Sequence, residues 1–258
     1  MGHTFIRTLL GCALGATLST AWAQPPALLM TYSFDSLTGK FGQSRETEAK
    51  SFTLGATLVG ETYRASLFVP YISLKGPGTV VNGTVTPAGG APTRKAKGLG
   101  DMVATYTRDV VGDLQSKGFA ASVTGLAKLA TGDERDGLGT GKTDYGIQAD
   151  LAYRFQNNFA LTGVFGRTLY GDTPTLRLLH GNYSILGFGF PFGDDLYINF
   201  TTSERDKLLA NTEKRRERAM SAVYSLSQTS ALQFGYTRGR STASPDDVFS
   251  FSLVTQVE

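Results

Sequence analysis

Few residues in this chain have the types and spacing that chemistry requires. Apart from His3 near the start, the one histidine is His180, which stands beside Asn182 and Ser184. A serine nucleophile with a histidine base is the arrangement of a hydrolase. Nothing else marks the pair, so a rim or loop histidine is the expected role. The segment Gly137-Leu138-Gly139-Thr140-Gly141-Lys142-Thr143 has the look of a phosphate-binding loop. That motif needs glycine five positions before the glycine of Gly-Lys, where this chain has Asp136. It also needs a buried strand before it and a helix after it, and neither is in sight. Asp133, Glu134, Asp136 and Asp144 do not fall at the alternate positions of a calcium loop. No catalytic residue, no metal and no cofactor is therefore expected.

Compartment comes next, because it decides which elements are possible. Arg7 followed by an apolar or small run over 8–17 and then Ala21-Trp22-Ala23 reads as a cleavable export signal of residues 1–23. The run is too short for a spanning helix, which takes about 20 residues. The only cysteine, Cys12, lies in that leader, so the remainder (24–258) has no disulfide or thiolate chemistry. The formal charge of +3 falls to about +2 without Arg7, which argues against nucleic acid as a partner.

The elements that must position any site are short strands. From Tyr145 to Phe155 one face carries Tyr145, Ile147, Ala149, Leu151, Tyr153 and Phe155, and the other Gly146, Gln148, Asp150, Ala152 and Arg154. This period of two marks a strand with one apolar and one wet side. It recurs at 52–58, 63–71, 119–129, 159–169, 196–200, 220–226, 232–236 and 249–257, and more weakly at 28–34, 102–106 and 183–192. The total is twelve. Tight connections at 60–61, 156–158, 193–195 and 227–230, with a slightly longer one at 112–118, alternate with links at 37–46, 75–97, 131–142, 170–175, 203–216 and 239–246. Of these links only 170–175 is close to turn length. Short periplasmic turns and longer extracellular loops are the signature of a transmembrane antiparallel up-and-down β-barrel, all-β, with both termini in the periplasm. The predicted location is the bacterial outer membrane, in contact with its lipid and lipopolysaccharide after passage through the barrel-assembly machinery.

Such a wall turns its apolar side outward. Tyr145, Ile147, Leu151, Phe155, Leu161, Phe165, Phe234, Phe251 and Leu253 are expected to face lipid, with Tyr153, Phe155 and Phe159 forming an aromatic girdle. The opposite parity is mostly small and neutral, with Ser122, Thr124, Gln148, Asn199, Thr201, Gln233, Ser250 and Ser252. Its charges are Arg64, Asp101, Lys128, Asp144, Asp150 and Arg154. For each of these, an ion pair bracing the barrel and a contact with solute both fit. The basic run 205–218, with Lys214, Arg215, Arg216 and Arg218, is assigned to the fifth extracellular loop and its rim, where it would meet lipopolysaccharide phosphates.

Gly98-Leu99-Gly100-Asp101 after a long loop, then Leu129-Ala130-Thr131-Gly132-Asp133-Glu134, then 137–145, resembles the MetA-pathway phenol-degradation family of outer-membrane transporter-like barrels. The likeness spans roughly residues 50–170 and carries over Gly98, Gly100, Asp101, Gly141, Asp144 and Tyr145 as motif positions. It implies a barrel associated with uptake of aromatic or hydrophobic compounds. The terminal Val257-Glu258 departs from the aromatic ending usual in such barrels. Three functions remain open: a passive channel or transporter for small solutes, aromatic or hydrophobic ones among them; a narrow porin for acidic sugars; and a filled, non-transporting barrel. Inward Phe68 and Leu126 and the long loop 75–97 would do the filling.

Overall fold

Alternating side-chain polarity can be satisfied in lipid only by a sheet closed on itself, because an open edge would leave backbone groups unpaired. The computed structural model describes residues 26–81, 84–87, 94–114, 116–171 and 177–257. The expected leader lies outside the described residues. The strands are β1 (Ala27–Gly39), β2 (Thr47–Val59), β3 (Tyr63–Gly76), β4 (Gly78–Val81), β5 (Thr84–Pro87), β6 (Arg94–Leu99), β7 (Met102–Val111) and β8 (Gly118–Leu129). There follow β9 (Asp144–Arg154), β10 (Ala160–Leu169), β11 (Gly181–Phe192), β12 (Leu196–Arg205), β13 (Arg215–Ser225), β14 (Ser230–Gly239) and β15 (Asp247–Val257). Strands β6 and β7 form one stave. The wall is thus a closed barrel of twelve antiparallel staves, sealed where β1 pairs with β15.

Each strand expected from alternation is present, and several run further toward the long loops. Strand β12 reaches Arg205, and β13 starts at Arg215. Arg205, Arg215 and Glu217 therefore belong to the wall rather than to loop five, which shrinks to 206–214. Their flanks are charged on both faces, so hydropathy stops alternating before backbone pairing stops. The fourth link runs 170–180 instead of 170–175, which completes the alternation of short and long connections.

The fourth stave is interrupted for a local reason. Strand β3 pairs with β6 as far as Tyr71↔Leu99 and with β7 from Phe68↔Val103, so the stave carries one extra residue between these points. Opposite it stands Pro70, which has no N–H to give to the ladder, while its carbonyl accepts from the Gly100 amide at 2.9 Å. The bulge turns Asp101 inward, where it is 7% exposed.

Polarity of the two faces follows parity. Tyr145, Ile147 and Phe249 are 59%, 60% and 61% exposed, and they belong to a continuous apolar belt that also holds Phe52, Leu161, Phe165, Phe234 and Phe251. Exposure on that scale marks a lipid-facing surface. Rings follow one another along the wall: Tyr153 meets Phe155 edge-on (4.8 Å), Phe155 is tilted against Phe159 (5.6 Å), and Phe159, Phe188 and Phe200 stack in turn (6.1 and 5.4 Å), starting from the turn expected to carry the girdle.

Candidate functional site

The inner face is built of small hydroxyl side chains. Thr31, Ser33, Thr53, Thr57, Ser122, Thr124 and Ser252 are buried there. Ser51, Thr105, Thr107, Thr162, Thr201, Ser203 and Ser250 are also inward by register but only half-buried. An inward side chain that still meets water lines a lumen. Among the described residues the apolar clusters are at the two ends, while Phe68 and its register partner Val103, with Leu126, are buried inward between them. At the periplasmic end Ala27, Leu29, Val59 and Val254 cluster, and the larger cluster is at the mouth.

At the mouth the chain leaves the wall after Gly76. Its φ of 137° suits glycine alone, and any Cβ would lie 2.6 Å from the Thr47 Cα. Strands β4 and β5 then form a separate hairpin. Val80 and Val85 of this hairpin pack on inward Leu37, Ile72, Leu74, Ala96 and Val248, together with Phe41 and Leu138. Val81 packs with Tyr170 and Leu178, against which Leu208 and Leu209 lie. The Val80 amide donates to the Gly137 carbonyl at 2.8 Å, so the hairpin and the Gly-rich loop 130–143 are tied to each other.

That loop is held from below by three charges that the sequence had placed on the inner face. Lys128, wholly buried, reaches Asp101 at 2.9 Å and Asp144 at 3.0 Å, and donates to the Thr140 hydroxyl at 2.5 Å. Asp101 accepts from the amides of Gly132 (2.9 Å) and Thr140 (3.3 Å), and Asp144 from the Gly171 amide (2.9 Å). A side chain at Gly139 would collide with the Asp101 carboxylate. The glycines of 137–141 thus let backbone close over a carboxylate, the opposite charge from a phosphate-loop partner. Among the motif positions, Tyr145 faces lipid instead.

Other expected lumen residues form separate groups. Gln148 donates to Asp150 at 2.9 Å and accepts from the Tyr183 hydroxyl at 2.6 Å, while the Thr124 hydroxyl donates to Asp150 at 3.2 Å. Arg154 lies over the Tyr197 ring at 5.6 Å. Arg64 makes a two-pronged pair with Asp109 at 2.7 and 3.1 Å. Asn199 donates to Ser221 at 3.4 Å, and Gln233 is buried on β14. The wall brings Asp101, Lys128 and Asp144 together, and Gln148 with Asp150; the remaining four residues are spread around it.

Sequence reasoning missed Asp35, Asp109 and Glu217 as inward charges, and it set Arg205 and Arg215 in the outer loop and rim, whereas the wall turns both inward. Asp35 is inward by the parity of Leu29, Thr31 and Ser33, and it accepts from the Ser250 hydroxyl at 2.5 Å. No ion pair reaches it among the described residues. Extending the alternation of β1 by one residue past Phe34 would have found it. Arg205 stacks over the Tyr183 ring at 4.9 Å, and Arg215 pairs with Glu217. Loop 206–214 above them is braced by Asp206. The Asn182 amide, and then Lys214, hold its carboxyl below the usual range, and Glu204 with Asp206 raises Lys214.

No family model matches the chain, and no curated protein does. Solved structures share its fold. An outer membrane channel from Pseudomonas putida F1 superposes with a TM-score of 0.69 at 12% identity, covering 91% of this chain and 97% of that one. The NanC porin gives 0.55 at 11% identity, covering 90% and 100%. The translocator domain of the autotransporter NalP from Neisseria meningitidis gives 0.53 at 12%, covering 92% and 90%. At these identities the likeness is one of fold, and the fold carries more than one function.

Proposed function

We propose that this chain is an outer-membrane channel through which small solutes diffuse passively. The observation that carries it is the water-accessible inner face of hydroxyl side chains inside a wall whose outer face is apolar. A barrel serving only as a scaffold would fill its centre with packed side chains. Aromatic and hydrophobic solutes are the favoured class, on the strength of the motif resemblance in 98–101 and 129–145. Inward cations and carboxylates are mixed and mostly paired, whereas a porin for acidic sugars calls for a lining of one sign. Chemistry on the solute is not part of the proposal. His180 is exposed, its Nδ1 accepts from the Tyr170 amide, and Ser184 is on the outward parity of β11.

A second reading, a barrel that does not transport, is favoured by the hairpin packed into the mouth. Uptake by liposomes carrying the purified protein separates the two. Phenols and small neutral solutes are expected to enter faster than into protein-free liposomes; equal rates across the panel would leave only the non-transporting barrel. Insertion by the barrel-assembly machinery and contact with lipopolysaccharide belong to the same proposal.

A further inference from the structure

On the outer face of β13 and β14 the apolar belt ends at the opposed pair Met220↔Tyr236. The next outward pair toward the long loops is Arg218↔Arg238, both exposed, with Arg216 one outward position higher on β13. Like charges directly opposed across antiparallel strands repel. Some of this charge is answered inside the protein: Arg238 reaches Asp247 at 3.0 Å and Arg216 reaches Glu204 at 2.9 Å. Arg218 has no ion pair among the described residues.

Long loops mark the extracellular end, so a position just above the belt is at the height of the outer-leaflet headgroups. We propose that Arg218 and Arg238 form a binding site for a phosphate of lipid A, the membrane anchor of lipopolysaccharide. Two guanidiniums side by side present forked donors that match phosphate oxygens. Asp247 orients the Arg238 fork, and the apolar surface of Met220 and Tyr236 below accepts acyl chains. The bound anion removes the repulsion that the bare pair would suffer. This inference rests on the chain being an outer-membrane barrel and does not depend on solute transport.

The full chain in detergent micelles is titrated with diphosphorylated lipid A, with dephosphorylated lipid A and with inorganic phosphate, bound lipid being read by native mass spectrometry. Each basic residue near an anionic membrane surface contributes about fivefold in affinity. Arg218→Gln is therefore expected to weaken lipid A binding about fivefold, and the double variant with Arg238→Gln roughly 25-fold. Lys117→Gln, at the periplasmic end, leaves binding unchanged, and heat-modifiable gel migration verifies that each variant is folded. Dephosphorylated lipid A should bind wild type no better than lipid A binds the double variant. Undiminished binding by the folded double variant overturns the site, as does displacement of lipid A by an equal concentration of inorganic phosphate. Liposome uptake by the double variant should match wild type, so a failure of transport and a failure of this site are distinguishable.

Discussion

Lys128 is the residue on which the mouth depends. Its ammonium is wholly buried between two carboxylates, and with Thr140 it draws loop 130–143 down onto the wall. Removing the cation leaves two like charges enclosed together. Lys128→Met is expected to cost about 3–5 kcal/mol, the range for a broken buried pair, read as a lower urea midpoint for the barrel folded in vesicles. A midpoint within error of wild type would mean that the charges are solvated and do not brace the fold. Asp35 has the opposite character, an inward carboxylate answered among the described residues by a serine hydroxyl and by no ion pair. In the channel reading it favours cations in the lumen, and Asp35→Asn should move the reversal potential in a salt gradient toward anions. An unmoved potential would place Asp35 off the ion path. Parity found Lys128, Asp101 and Asp144 in the sequence, but not that they touch. They meet because β7, β8 and β9 are neighbours in register, and because a bulge opposite Pro70 adds one residue at Asp101.

Among the elements, the β4–β5 hairpin carries the strongest consequence. Val80, Val81 and Val85 are its anchors, each on a cluster supplied by inward wall residues or neighbouring loops. Replacing 79–86 by a short Gly-Ser link removes these anchors and leaves all twelve staves paired. Single-channel conductance in planar bilayers is expected to rise, because the mouth loses its filling. Conductance equal to wild type would show that the hairpin does not stand in the solute path. In sequence the loop 75–97 was assigned to filling the lumen in the non-transporting reading, on its length alone and with no sign of strands within it. Two strands of four residues are too short for periodicity to register, and what stabilises them is the surface of the barrel beneath. Strand ends were blurred for a related reason. Above the membrane both faces of β12 and β13 are polar, so pairing continues where alternation has ceased.

At the scale of the molecule, the liposome and lipid A experiments address two different surfaces, the lumen and the outer rim. Sequence alone determined the all-β class, the number of staves, the side of each short turn, and which side chains face lipid. Those features follow from a period of two along single strands and from the need to pair every backbone group in a bilayer, both local or universal constraints. Only the tertiary structure decided which inward charges pair, that the Gly-rich segment closes over Asp101, and that a hairpin packs into the mouth. It also decided that Arg218 stands opposite Arg238. Each of these depends on the register between strands far apart in the chain, and register is set by closure of the whole barrel.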